Sequence, residues 1–214
     1  MASQKVYFIG IGGIGVSSLA QYYLAQGWQV SGSDAVRSEI TDDLKKKGVK
    51  IFIGQKAKNI KSPDLVIYSA AIRPENPEFS EAKAKGYPLQ SYAQAVGELT
   101  KKYFTVAVCG SHGKSTTTAL IGLILKEAGL DPTIIIGTKL SELSTREGRS
   151  FFSGNNFRMG GSKYLVLEAD EYARSFHNYF PKITIVTNID KEHLDIYKNL
   201  DGVIVGFKKF FKNI

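Results

Sequence analysis

Gly110-Ser111-His112-Gly113-Lys114-Ser115 is the stretch whose residue types and spacing say most about chemistry. An apolar run, Tyr103 to Cys109, leads into it. A helical repeat of apolar residues, Ala119, Leu120, Leu123, Ile124 and Ala128, leads out. Strand, small polar loop, Gly-Lys-Ser and helix form the layout of a phosphate-binding loop. Gly110 and Gly113 let the backbone curl so that successive N–H groups face one anion. The helix N-terminus adds partial positive charge. Lys114 then meets the β- and γ-phosphates of a nucleotide, and the Ser115 hydroxyl meets Mg²⁺. Position 108 is valine where the full pattern has glycine, so this is the shorter G-x-x-G-K-S form. The competing reading is a polar turn that happens to contain these residues.

A second glycine loop stands near the N-terminus. Lys5 to Ile9 reads as a buried strand, Gly10-Ile11-Gly12-Gly13-Ile14-Gly15 follows, and Val16, Leu19, Ala20, Tyr23 and Leu24 continue as a helix. Gly27 ends that helix and Trp28 to Ser31 begins another strand. This is a βαβ unit carrying G-x-G-x-x-G. Gly10 makes the tight turn, Gly12 allows a diphosphate to approach, and Gly15 lets helix and strand pack. Asp34 lies 19 residues past Gly15 (34 − 15), where an acidic side chain takes ribose hydroxyls. The loop reads as a dinucleotide or nucleotide-diphosphate site.

Two acidic segments complete the inventory. Tyr164 to Leu167 is apolar and runs into Glu168-Ala169-Asp170-Glu171. Ile183 to Thr187 runs into Asn188-Ile189-Asp190-Lys191-Glu192-His193. A carboxylate after a strand is what a phosphate-loop enzyme uses to hold Mg²⁺. Glu168 is the candidate, while Asp170 and Glu171 can equally cap the next helix. His193 reads as a metal or phosphate ligand, or as a structural histidine. His112 contacts nucleotide or only fills its loop, and His177 reads as a surface residue.

The elements between these tips alternate. Helices are expected over Ser38 to Lys47, Glu78 to Lys85, Tyr92 to Thr100 and Gly202 to Phe211. Strands are expected over Val49 to Ile53, Leu65 to Tyr68, Pro88 to Gln90 and Thr133 to Ile136. Lys139 to Gly161 reads as irregular and polar and carries Asn155, Asn156 and Arg158. Strand–helix alternation implies an α/β fold with parallel sheets covered on both faces. The fold expected is a Rossmann-like domain over residues 1–102 followed by part of a phosphate-loop ATPase domain over 103–214. In such sheets ligands sit beyond the carboxyl ends of the strands, so the three polar tips of the second half converge on one edge.

Composition narrows the class. The 214 residues suffice for one large or two small domains, and no apolar run approaches a membrane span. The start reads directly into a strand, without a signal peptide, and the single cysteine, Cys109, reads as buried packing. A reducing cytoplasm is expected. The net charge of +8 could favour nucleic acid, but the lysines cluster near helix ends and no aromatic–basic or zinc-binding spacing is present. No nucleic-acid partner is expected.

Taken in order, these residues resemble the Mur ligase family of peptidoglycan synthesis. The resemblance rests on Ile9 to Gly15, Ser31-Gly32-Ser33-Asp34, Ser69-Ala70-Ala71-Ile72, Gly110 to Thr118, Glu168-Ala169-Asp170-Glu171, and Thr187-Asn188-Ile189 with His193. It implies that Gly12, Gly13, Ile14 and Gly15 hold the diphosphate of a UDP-sugar, with Asp34 and Ser69 along the nucleotide. It implies that Gly110, Ser111, His112, Gly113, Lys114, Ser115 and Thr116 bind ATP, and that Ser115, Glu168 and His193 surround Mg²⁺. Lys114, Glu168 and His193 are its catalytic group. Asn156 and Arg158, in a Gly-x-Asn-x-Arg-x-Gly pattern from Gly154 to Gly160, face the substrate. The substrates implied are UDP-N-acetylmuramate and L-alanine, joined through an acyl phosphate, with a recycling ligase that adds a preformed peptide as the near rival. Ser111 and Ser115 stand where threonine is commoner, Glu192 where aspartate is, Ala173 where an acid is, His177 where leucine is, and Tyr92 where arginine is. The chain reads as a partial sequence that ends inside its second domain and does not ligate by itself. Rivals from other classes are a dinucleotide-dependent oxidoreductase and a nucleotide-sensing module.

Overall fold

The first strand, β1 (Lys5–Ile9), has apolar side chains at four successive positions, all buried. A strand apolar on both faces belongs in the middle of a covered parallel sheet. A computed structural model, describing residues 3–138 and 156–214, places it there. The elements that follow are α1 (Ile14–Ala25), β2 (Gln29–Asp34), α2 (Glu39–Lys46), β3 (Lys50–Ile53), β4 (Leu65–Tyr68), α3 (Pro77–Ala84), β5 (Leu89–Ser91) and α4 (Tyr92–Lys102). The strands pair in the order β3-β2-β1-β4-β5, all parallel. The order reverses between β1 and β4, which opens a crevice beyond their carboxyl ends.

Local chemistry sets the boundaries. Ser38 caps α2 in a reciprocal box with Thr41. Asn76 accepts from the backbone N–H groups of Glu78 and Phe79, and Pro77 opens α3. Trp28 is half-buried, with its ring edge-to-face on Tyr23 at 4.9 Å.

Glu78 is the polar centre of this sheet. It is fully buried, yet Tyr7 Oη, Lys56 N and Asn59 Nδ2 donate to Oε1 at 2.9, 3.1 and 2.7 Å, and Ser33 Oγ donates to Oε2. Four donors offset the cost of burying the carboxylate, which also sits in the first turn of α3. Burial and the neighbouring carboxylate leave the Tyr7 phenol well above its ordinary range.

The packing divides the chain between Ala95 and Val96, inside α4. Beyond it come β6 (Phe104–Cys109), α5 (Lys114–Glu127), β7 (Thr133–Ile135), β8 (Phe157–Arg158), β9 (Tyr164–Glu168), β10 (Ile183–Val186), α6 (Leu194–Tyr197) and α7 (Leu200–Phe210). The order is β10-β6-β9-β7-β8, parallel except that β8 runs antiparallel to β7. Ala119 on α5 packs with Ile134, Ile136 and Val166 in the core over this sheet.

Some sequence expectations shift. Glu168 is the last residue of β9, not the first after it. The stretch read as irregular contains β8, too short for a periodicity to announce, and its residues 139–155, Asn155 among them, lie outside the described ones. His177 is not a plain surface residue: its ring stacks on Phe176 at 4.9 Å and its Nε2 lies 2.9 Å from Gly206 O. Burial lowers its pKa.

Two outcomes follow. Glu78→Ala leaves four donors, three of them on buried residues, without their acceptor and should cost on the order of 3 kcal/mol in urea unfolding of the first unit, whereas Glu81→Ala should change it little. Cys109 is fully buried, and burial pushes its thiol up to about 12. Alkylation at pH 8 should therefore be on the order of a thousandfold slower in the native chain than in denaturant.

Candidate nucleotide sites

The first unit places its glycine loop in the β1/β4 crevice. Gly10 turns with φ +81°, and a Cβ there would come within 3.0 Å of Ser69 Cβ, so the two strand-end loops touch. Gly10 N and Ile11 N both donate to Ser33 O at 2.9 Å. Gly12 N donates to Asp34 Oδ2 at 2.8 Å, and a Cβ on Gly12 would meet that same oxygen. Asp34 therefore braces the loop with one oxygen. The third glycine has a neighbour from further along the chain. A Cβ on Gly15 would lie 2.7 Å from Tyr92 Oη, so this glycine makes room for the Tyr92 side chain on α4. Gly12, Gly13, Ile14 and Gly15 stand at the N-terminus of α1, whose cap, Gly13, offers no side-chain acceptor. Gly12 and Asp34 are thus in contact, and Ser69 lies against Gly10.

In the second unit β10, β6 and β9 are neighbours, so their carboxyl ends share one edge. The loop after β6 is held from the β10 side. Ser111 N donates to Asn188 O at 3.0 Å, and His112 N donates to Asn188 Oδ1 at 2.9 Å. Asn188 Nδ2 and Thr187 Oγ1 both donate to His112 O. The His112 ring is exposed, with Nδ1 3.2 Å from Glu192 Oε1. Gly113 takes a left-handed φ of 80° and starts α5, with Lys114 as its first residue, Ser115 half-buried and Thr116 exposed. Lys114 Nζ donates to Gly110 O at 2.7 Å, Ser111 O at 3.0 Å and Glu171 Oε1 at 3.1 Å.

Glu168 and His193 are placed differently from one another. Glu168 Oε2 accepts from Gly137 N at 2.8 Å. The carboxylate between Lys114 and His193 belongs to Glu171, whose Oε1 is 3.6 Å from His193 Nε2. Glu171 is 1% exposed, and its second oxygen has no hydrogen-bond partner among the described residues. Burial pushes its carboxyl up, against a backbone hydrogen bond and the Lys114 ammonium. Tyr197 Oη fixes the backbone by donating to Glu171 O at 2.7 Å. His193 adopts φ +53°, a left-handed conformation that costs a non-glycine residue about 1 kcal/mol.

Glu171 is the residue that sequence reasoning underweighted. The alternation of β9 ends at Glu168, and period two says nothing about a side chain beyond the last strand residue. Asn156 and Arg158 flank and form β8. Asn156 is buried, with its carbonyl accepting from Ile136 N at 3.0 Å. The Arg158 guanidinium donates to Pro132 O and pairs with Asp131.

Comparisons with known proteins agree with this geometry. Residues 5–104 match the model described as Mur ligase family, catalytic domain, and residues 108–214 match Mur ligase middle domain. UDP-N-acetylmuramate–L-alanine ligase of Acetivibrio thermocellus is 46% identical over 210 residues, 98% of this chain and 43% of that protein. A solved structure of UDP-N-acetylmuramate–alanine ligase from Thermotoga maritima aligns with a TM-score of 0.84 at 33% identity, covering 98% of this chain and 47% of that one. A murein peptide ligase from Psychrobacter arcticus aligns with a TM-score of 0.84 at 27% identity, covering 99% and 47%. The chain thus spans less than half the length of these relatives. Two glycine loops at the carboxyl ends of parallel strands in two sheets, together with matches that run nearly end to end, place this chain in the Mur ligase family.

Proposed function

We propose that this chain supplies the nucleotide-handling part of an ADP-forming ligase that joins L-alanine to UDP-N-acetylmuramate in peptidoglycan precursor synthesis, in the cytoplasm. The observation that carries this reading is the braced phosphate loop with Lys114 beside a buried carboxylate, in a chain that holds a separate glycine loop on another sheet. A hydride-transfer enzyme has no use for the former, and a simple ATPase has no use for the latter. In this reading residues 1–102 bind the UDP-sugar and 103–214 are the first part of the ATP-binding domain.

The sugar carboxylate attacks the γ-phosphorus of ATP, giving an acyl phosphate and ADP. The amine of L-alanine then attacks the acyl carbon, phosphate leaves, and the nitrogen gives up a proton. Lys114 and the loop N–H groups stabilise the charge that develops on the transferring phosphoryl group. Asn188 and Thr187 hold the loop backbone through the N–H groups of Ser111 and His112 and the carbonyl of His112, so the N–H groups left to meet phosphate are those at the start of α5. His112, exposed beside the loop, is available to the nucleotide.

Mg²⁺ fits the residues present. Ser115, Glu168 and His193 offer hard oxygen and imidazole donors, and an unpartnered buried carboxylate oxygen on Glu171 lies in the same region. Those residues would hold the ion, which when bound neutralises phosphate charge. A preformed peptide in place of L-alanine is the second reading, favoured by the likeness to a murein peptide ligase.

Separate calorimetric titrations of the 214-residue chain with UDP-N-acetylmuramate and with ATP test the two-site reading. Lys114→Ala should weaken ATP binding about a hundredfold, some 2–3 kcal/mol, and leave the UDP-sugar titration unchanged. Competition of the two ligands for one site, or equal loss of both in the variant, would overturn it.

A further inference from the structure

The first sheet has a second polar end, opposite its glycine loop. Residues opposed in a parallel ladder face the same way. Here Lys5 opposes Gln29, Tyr7 opposes Ser31, Ser31 opposes Lys50 and Ser33 opposes Phe52. Lys5 opens β1 and Lys50 opens β3, so one face of the sheet carries two lysines at its amino end. Residues 59–63 wall that end and bring a third, Lys61, to the same cavity of about 270 Å³. Ser62 adopts φ +45°, a left-handed conformation, and its neighbours Lys61 and Pro63 both line the cavity. Gly10 is five residues past Lys5, about 16 Å along an extended strand, so this cavity and the glycine loop are different places.

Three ammonium groups around one cavity repel one another. Among the described residues none of them pairs with a carboxylate. Asp64, three positions past Lys61, accepts instead from the Lys5 backbone N–H at 2.7 Å. The half-buried Ser31 hydroxyl makes no hydrogen bond among the described residues and adds a neutral donor. Lys50 Nζ lies 5.4 Å from the centroid of the half-buried Phe52 ring, so positive charge and aromatic surface adjoin. Tyr7 and Asn59, which also line the cavity, are both fixed on Glu78. Separate ammonium point charges suit the several oxygens of a phosphate, and the volume suits a small molecule. We propose that this cavity binds a small phosphate monoester whose ring lies on Phe52, at a site separate from both glycine loops.

The test is a titration of the ¹⁵N-labelled 214-residue chain with phenyl phosphate, with inorganic phosphate and with benzoate, read amide by amide by nuclear magnetic resonance. Phenyl phosphate should give saturating shifts at Tyr7, Ser31, Lys50 and Phe52. Lys50→Gln and Lys61→Gln should each weaken it about threefold, and the double variant about tenfold, while Lys58→Gln, exposed but outside the cavity, should not. Phe52→Leu should remove a roughly threefold preference for phenyl phosphate over inorganic phosphate. Benzoate, with the ring but a single charge, should bind more weakly than phenyl phosphate. The lysines are exposed, so their variants leave the core untouched. Shifts confined to residues 10–15 or 110–115, shifts at the cavity that do not saturate, or parent-like binding by the double lysine variant would overturn the site. Benzoate binding as tightly as phenyl phosphate would overturn the choice of phosphate. Equal affinity for the two phosphates in the parent chain would overturn the place of the ring on Phe52.

Discussion

A single ammonium group organises the polar edge of the second unit. Lys114 Nζ satisfies two loop carbonyls and neutralises a carboxylate that is otherwise sealed from water. Taking such a pair out of water is expensive, and it is tolerated only where the geometry is good and further hydrogen bonds share the charge. Here the carbonyls of Gly110 and Ser111 share it. The side chain that would meet phosphate is thus also one that ties the two ends of the loop's first turn together.

The two glycine loops solve one problem by different means. Each follows a buried parallel strand, each turns at a glycine with positive φ, and each must have its backbone N–H groups held in place. In the first, the neighbouring strand β2 supplies the Ser33 carbonyl and the Asp34 carboxylate, with Glu78 behind Ser33. In the second, the segment after β10 supplies the Asn188 amide and the Thr187 hydroxyl. A carboxylate brace suits a loop with no lysine of its own. A neutral amide brace leaves the field of the second loop to Lys114 and Glu171.

Much of this was legible before the fold was known. Apolar runs at Val6 to Ile9 and Val106 to Cys109 mark strands buried on both faces, and the structure turns the chain at a glycine with positive φ after each of them. Side-chain periodicity also placed nearly every helix. What stayed hidden were contacts made after periodicity stops. Glu171 lies three residues beyond the end of β9, where the chain turns and alternation carries no direction. The β8 pair is a product of tertiary pairing with β7, not of local preference. His177 looked exposed because its polar ring hid the stacking on Phe176 that only packing reveals. The contact of Gly15 with Tyr92 stayed hidden for the same reason, since Tyr92 is 77 positions away in sequence (92 − 15) and no local rule connects them.

Trp28 is the chain's single tryptophan, and it packs on Tyr23 within the first of the two units. Indole emission excited apart from the tyrosines therefore reports on one half of the molecule and is blind to the other. Far-ultraviolet circular dichroism sees both. The difference between those two signals is an optical handle, already present in the native sequence, for asking whether the halves melt as one cooperative body or in succession.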